Sequence, residues 1–361
     1  MRVVHVTPTF FDARRGLVGG GERFVSELAR AMARHADVRI LAFGAQTETL
    51  ERDGVTIHVR RPLARGRNPI NPLPGLLPEL RGADVVHVHQ PFTLVGAAAI
   101  LSARRRGAKA FLTDLGGGGF NVHDRLRLDR HVAGYLCISE LSARLLESRV
   151  APKRVVYAGI DPDRFRPLGL PRERKVVAVG RIMPHKGQAD VVRAVPDDVD
   201  LEVYGPVLDA EYAALARRLA EGKRVRFVHD ATTDDLVRAY NTAALTVQAS
   251  AHHTEFGGYA ANTELFGLTL AESMACETPV VATRAGAMPE VAEEGVTGLI
   301  VPPREPDALR EAMLRLLDDP EGAREMGKRG RARVLERFTW DAVARRCLEA
   351  YEEMPRVSPH A

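Results

Sequence analysis

The chain has only three cysteines in 361 residues, Cys137, Cys276 and Cys347, each in an apolar or helical context far from the others. That spacing excludes a disulfide scaffold and a cysteine-based zinc site, and points to reduced structural thiols in the cytoplasm. Long apolar runs are missing as well. None approaches the roughly 18 residues of a membrane span, and the opening MRVVHVTP has neither an apolar leader core nor a small-residue cleavage site. Lysine is scarce, six among 51 basic side chains, and the formal net charge is only +4. The arginine clusters RRPLARGR (60–67) and RRRGAK (104–109) therefore read as solvated surface, with phosphate, nucleic acid or an anionic membrane face as the alternatives. Zinc-finger spacing and aromatic-basic RNA-binding motifs are absent, which argues against nucleic acid as a partner. So is the G-x-G-x-x-G fingerprint followed by an acid about 20 residues on, which argues against a nicotinamide oxidoreductase.

What is present is alternation. Short β-rich runs (RVVHVTP, DVRILAF, DVVHVHQ, KAFLTDL, RVVYAG) alternate with segments of helical period up to residue 160, and a second set follows (RKVVAVGRI, DLEVYGP, RVRFVHD, LTVQAS, PVVATR, TGLIVPP). This is the signature of parallel sheets wrapped by helices. Between the sets, IDPDRFRPLGLPRER (160–174) is rich in proline and charge without periodicity and reads as an interdomain linker. A chain with 45% apolar residues and this length suits two doubly wound α/β domains. Their sites are expected at the carboxyl ends of strands, facing each other across a cleft.

Four stretches carry the chemistry. In RRGLVGGGERFVSELARAM, Gly19, Gly20 and Gly21 precede a helix with Phe24, Leu28 and Met32 on its apolar face, so that backbone N–H groups can approach an anion. KAFLTDLGGGG (109–119) is a second glycine run, and either run also fits a plain tight turn. VVAVGRIMPHKG (176–187) leads from a strand into Gly180, Arg181 and Lys186. Two cations there suit a diphosphate, each charge-assisted contact contributing about 1.5–3 kcal/mol, although an ordinary charged loop fits the same residues. Finally, TELFGLTLAESMACETPVVAT (263–283) sets Glu264 and Glu272 eight positions apart among Leu265, Phe266, Leu268 and Leu270. Gly267 interrupts the apolar run and Thr269 can cap, so Glu264 sits before a helix and Glu272 about one turn inside it. Amides for phosphate, a carboxylate for sugar hydroxyls and a second for ribose hydroxyls are thereby offered together.

The run from Glu264 to Glu272 resembles the E-x7-E motif of the retaining glycosyltransferase family 4, which has the two-domain GT-B fold. VGRIMPHKG is similar to its diphosphate-binding segment, AGIDPDRFRP to its interdomain segment, AGAMPEVAEEGVTGLIVPP to the continuation after the motif, and GGGERFVSELARAM and DVVHVHQPF to its N-terminal half. The resemblance implies an acceptor-binding Rossmann-like domain over residues 1–165, joined by a returning C-terminal helix (339–356), and a nucleotide-sugar-binding domain over 166–338. It implies transfer without a metal or other cofactor, the nucleoside-diphosphate sugar being the donor substrate. Arg181, Lys186 and Glu264 become the catalytic candidates. Gly20, Gly21, Gly180, Phe266, Gly267, Leu268, Thr269 and Glu272 become donor contacts; Glu22, His89, Asp114, Gly116 and His123 become acceptor contacts. The triplet Asp161-Pro162-Asp163 falls in a family segment with no metal role.

Three departures stand out. Many relatives place a histidine where this chain has Leu115, in Thr113-Asp114-Leu115-Gly116. His229 occupies a position where they commonly carry glycine, and AHHTEFGGYAAN (251–262) lengthens the approach to the motif and is expected to overhang the cleft. Glu255-Phe256-Gly257 within it mimics the motif, but Thr263 stands where its partner glutamate belongs. The expected activity is hexosyl transfer to a small soluble acceptor: a sugar, a cyclitol or a natural-product intermediate. The alternatives are a lipid acceptor at a membrane surface, or a GT-B epimerase or pseudo-glycosyltransferase.

Overall fold

The computed structural model describes residues 1–10, 20–64, 72–116, 122–146 and 149–355. The chain divides into two α/β units, Met1–Gly159 with Trp340–Ala361, and Ile160–Thr339.

The first unit holds an eight-stranded sheet: β1 (Arg2–Phe10), β2 (Asp37–Phe43), β3 (Glu48–Arg52), β4 (Val55–Arg60), β5 (Val85–His89), β6 (Lys109–Thr113), β7 (Gly134–Cys137) and β8 (Lys153–Val155), in the order β3-β4-β2-β1-β5-β6-β7-β8. All neighbours are parallel except β3 and β4. β5 is buried along its whole length, as expected for a parallel strand covered on both faces. The β3–β4 hairpin and β7 lie outside the strands expected from sequence. The hairpin turns at Asp53-Gly54, whose φ values of 51° and 77° are both left-handed, as a two-residue primed turn requires. ETLER carries too little apolar alternation to register as a strand by period alone.

The second unit holds six parallel strands: β9 (Glu173–Val179), β10 (Asp200–Tyr204), β11 (Val225–Val228), β12 (Ala243–Gln248), β13 (Val280–Thr283) and β14 (Gly298–Val301), in the order β11-β10-β9-β12-β13-β14. Its core gathers Val176, Val203, Leu245 and Val281 from the strands with Val191, Met313 and Leu316 from the helices.

The segment 160–174 is not a free linker. Phe165 is fully buried beside Tyr240, Leu168 N donates to Asn241 Oδ1 at 2.7 Å, and Arg172 donates to the carbonyls of Tyr240, Ala243 and Cys276 at 2.6–2.9 Å. These bonds dock the segment on the second unit, so the division falls at Gly159 rather than at residue 165. At the other end, helix Trp340–Glu353 belongs to the first unit, where Lys109 Nζ caps it by donating to the carbonyls of Tyr351 and Met354, each at 2.7 Å. All three cysteines are buried and free. Among the described residues no helix is long and apolar enough to cross a membrane.

Candidate functional site

In the second sheet the chain leaves β9 toward one edge and β12 toward the other, so a topological switch point lies between these two central strands. Beyond β9 come Gly180, Arg181, the short turn Pro184–Lys186 and helix Gln188–Ala194. Beyond β12 the chain runs to Glu264 and then to helix Leu268–Ala275. Gly187 joins the two arms. Its φ is 71°, and a Cβ there would lie 1.9 Å from Ala249 O, so no other residue allows this approach. Gln188 Nε2 fixes the first arm by donating to Arg181 O at 2.9 Å. The backbone of Glu264 is held from a third side, where Ala287 N donates to its carbonyl at 2.9 Å. A Cβ on Gly286, whose φ is 58°, would come within 2.4 Å of that same carbonyl oxygen.

The side chains converge accordingly. Lys186 Nζ pairs with Glu264 Oε2 at 2.7 Å, both side chains 13% exposed. Gln248, the last residue of β12, donates through Nε2 to the same carboxylate oxygen and accepts from Thr269 Oγ1 at 2.8 Å. Gly267, with φ 104°, starts helix Leu268–Ala275, and the N–H groups of Leu268 and Thr269 have no acceptor among the described residues. Free amides at a helix start are the kind of group that can receive an anion. Glu272 lies one turn inside the helix, 5% exposed, and accepts from Tyr240 OH at 3.3 Å. The Phe266 side chain is buried against Phe338, which leaves only its backbone for a ligand. Arg181 is exposed and makes no ion pair among the described residues. Burial, together with the charges of Lys186 and Arg181, pushes His185 down to about 4, so it is neutral near pH 7.

The 251–262 segment is pinned to its own unit. Glu255 pairs with Arg193 and Arg304, each at 2.6 Å, and both arginines also pair with Asp190, at 2.9 and 2.6 Å. The bond from Arg193, reinforced by Arg304, holds the Glu255 carboxyl down to about 2, whereas burial raises that of Asp190. His252 Nδ1 donates to Ala260 O at 2.9 Å and its Nε2 accepts from Gly286 N at 3.3 Å, tying the segment to the cradle around Glu264. His229 bridges Gly205 O (3.0 Å) and Arg217 (3.3 Å) at the exposed carboxyl end of β11.

In the first unit the expected acceptor residues separate. His89 is fully buried: its Nε2 lies 2.9 Å from His5 Nδ1 and its ring 4.2 Å from that of His87. His123 is 1% exposed and bonded to Tyr135 OH at 3.2 Å. Neither presents a surface to a ligand, because both rings close the core behind the strand ends. His5, His87 and His89 are near enough to share one metal ion, but both nitrogens of His87 are already engaged, by Thr113 at 2.7 Å and Tyr351 at 2.8 Å, and no carboxylate joins the group among the described residues. Gly21, expected as a donor contact, packs within its own unit, where a Cβ would lie 3.6 Å from Gln90 Nε2 and 3.8 Å from Leu115. Asp114 accepts from the exposed Gly116 N at 3.0 Å, and burial raises its carboxyl. Glu22 and Gly20 lie in the first turn of helix Gly20–Met32; Gly19 and residues 117–119 fall outside the described residues. Asp161 caps its own turn, accepting from Asp163 N at 3.0 Å and Arg164 N at 3.2 Å. Sequence reasoning missed Gln248, Gln188, His252 and Gln90. The first stands at the carboxyl end of a central strand beside the switch point, a position that topology alone would have singled out.

Two family models account for nearly the whole chain: one described as "Glycosyl transferases group 1" matches residues 161–333, and one described as "Glycosyltransferase Family 4" matches 18–164. The chain belongs to glycosyltransferase family 4. Among curated relatives of this family 4 glycosyltransferase, the alpha-maltose-1-phosphate synthase of Mycolicibacterium smegmatis is 28% identical over 385 residues, covering 93% of this chain and 96% of that one. Among solved structures, the sucrose-phosphate synthase of Thermosynechococcus elongatus matches with a TM-score of 0.74 at 22% identity, over 98% of both chains. Anabaena HepE, in complex with UDP-glucose, matches with a TM-score of 0.73 at 17% identity over 98% of this chain and 99% of that one. The GT-B fold follows for this chain.

Proposed function

We propose that this glycosyltransferase is a retaining enzyme that moves a hexose-type sugar from a nucleoside-diphosphate sugar to a hydroxyl of a small soluble acceptor, without a metal. The observation that carries the reading is the Lys186–Glu264 pair at 2.7 Å beside the open end of helix Leu268–Ala275. Arg181, Lys186 and the amides of Gly267, Leu268 and Thr269 receive the diphosphate, Glu272 the ribose, and Glu264 the transferred sugar. The acceptor oxygen forms its bond to the anomeric carbon on the face from which the diphosphate oxygen departs. That departing oxygen takes the acceptor proton, and the two cations balance the charge it gains. Two relatives named for phosphorylated sugars, and one seen with UDP-glucose, support a nucleotide donor and a sugar or sugar phosphate as acceptor. A lipid acceptor is the second reading, favoured by Leu63 and Leu76, exposed 74% and 87%.

The test is incubation in EDTA with UDP-, GDP- and ADP-sugars against sugars, sugar phosphates, cyclitols and anionic lipid vesicles, with the anomeric configuration of the product read by NMR. Retained configuration on a soluble acceptor is expected. Inversion, an absolute need for Mg²⁺ or Mn²⁺, transfer to lipid alone, or epimerisation without transfer would each overturn the corresponding part.

A further inference from the structure

Gln248 is 6% exposed at the end of β12, and its two amide atoms are used in opposite senses. Its Nε2 donates to Glu264 Oε2, and its Oε1 accepts from the Thr269 hydroxyl at 2.8 Å. The hydroxyl proton fixes the amide orientation, since the flipped amide would set a carbonyl oxygen against a carboxylate. A directional chain results, Thr269 to Gln248 to Glu264, met from the other side by Lys186 at 2.7 Å. Both donors fall on Oε2, and Glu264 Oε1 has no partner among the described residues. One oxygen is held and the other is offered.

We infer that Gln248 is a positioning residue for the donor sugar, holding Glu264 in place once Lys186 turns to the diphosphate. This rests on the donor site proposed above. Lys186 and Gln248 share the work of holding Oε2. A bound diphosphate competes for the Lys186 ammonium, and the Gln248 amide is then the remaining side-chain donor on the carboxylate. Thr269 cannot take over, because its hydroxyl is committed to Gln248. The role is therefore specific to the sugar: a nucleoside diphosphate alone leaves Glu264 without a task.

Calorimetric titration of the full chain separates the possibilities. Wild type is first titrated with UDP, GDP and ADP and with UDP-glucose, GDP-mannose and ADP-glucose, and the tightest sugar and its parent diphosphate are carried forward. Gln248→Met keeps the shape and removes both bonds; Gln248→Glu keeps the shape and sets a second carboxylate against Glu264. For both variants, affinity for the diphosphate should stay within about twofold while affinity for the sugar form falls about tenfold or more, the worth of one hydrogen bond to a charged group. Glu264→Gln serves as the control. If it loses the preference for the sugar form and the Gln248 variants keep it, the Gln248 inference is overturned while the donor site stands. If Glu264→Gln also keeps the preference, or wild type binds none of the six, the donor reading itself falls. Equal losses for diphosphate and sugar form would mark Gln248 as structural only and overturn the inference.

Discussion

In the first unit the fully buried polar side chains at the centre of the sheet are imidazoles, His5, His87 and His89, bonded to one another, to Thr113 and to Tyr351. In the second, the charged groups beside the strand ends are less deeply buried: Lys186 with Glu264, Glu272 beside Tyr240, and Asp190 with Arg193, Arg304 and Glu255. Neutral imidazoles can be desolvated completely with modest penalty, and they stitch strands to helices, but they offer an anionic ligand no charge. Half-buried charges are retained only where a partner compensates them. A pair such as Lys186–Glu264, which an incoming diphosphate and sugar can re-partner one for one, is therefore poised for a ligand. Polar burial alone does not mark a site. Exchangeable charge beside a switch point does.

Acid is the sharpest way to break this comparison. Burial lowers His5 to about 3 and drives His87 and His89 well below their ordinary 6.5. Their folded affinities for protons are depressed, so the unfolded chain binds more protons below pH 6.5, and stability is lost as pH falls from there. At pH 5 each fully buried histidine costs about 2 kcal/mol, or about 6 kcal/mol for the three as an upper figure, comparable with the whole stability of a domain. Trp340 is the only tryptophan and lies in the first unit. Its fluorescence in urea should show a large fall in midpoint between pH 7 and pH 5, and an unchanged midpoint would contradict the assignment. The second unit has the depressed His185 alone, and Glu255, lowered to about 2, keeps its full contribution to stability down to about pH 4.5 and loses it only between there and about pH 2, so signals from residues 160–339 should shift much less between pH 7 and pH 5.

Smaller effects probe the second unit directly. Lys186→Ala should cut kcat by about 10² to 10³ with the fold intact, because it removes a preorganised donor from the leaving group. A change under about threefold in a single-turnover assay would remove Lys186 from the chemistry. Gly187→Ala forces a Cβ against Ala249 O in a left-handed conformation. A loss of about 3 kcal/mol or more is expected in urea titration, since the backbone itself must move. Glu255→Ala leaves Arg193 and Arg304 with Asp190 alone. It should destabilise the second unit by about 2 kcal/mol, less than for a fully buried pair because the arginines are partly exposed.

Much of this was legible in the residues. The strands of the second sheet were each marked by apolar β-branched runs, and Glu264 and Glu272 by the spacing of charge within apolar sequence, whereas Arg181 and Lys186 stood out only through the resemblance; the fold brings all four to one end of one sheet. The β3–β4 hairpin was missed although Asp53-Gly54 announces it, because β3 is nearly all polar. The segment 160–174 looked like a linker because proline and charge hide its anchors, Phe165 and Arg172, which act through tertiary contacts without periodicity. His89 was singled out only through the resemblance, and only the three-dimensional neighbours show it enclosed. Gln248 was invisible for the opposite reason: an amide becomes informative only when its two partners are known.

The central claim is that the donor binds in the second unit, at the open end of helix Leu268–Ala275. Hydrogen exchange read by mass spectrometry, with and without the tightest-binding nucleotide sugar, tests it most directly. Slowed exchange should concentrate in peptides spanning 180–187 and 264–272, with those around His5, His87 and His89 unchanged. Protection confined to the first unit, or absent from 264–272 at saturating nucleotide sugar, would contradict the account.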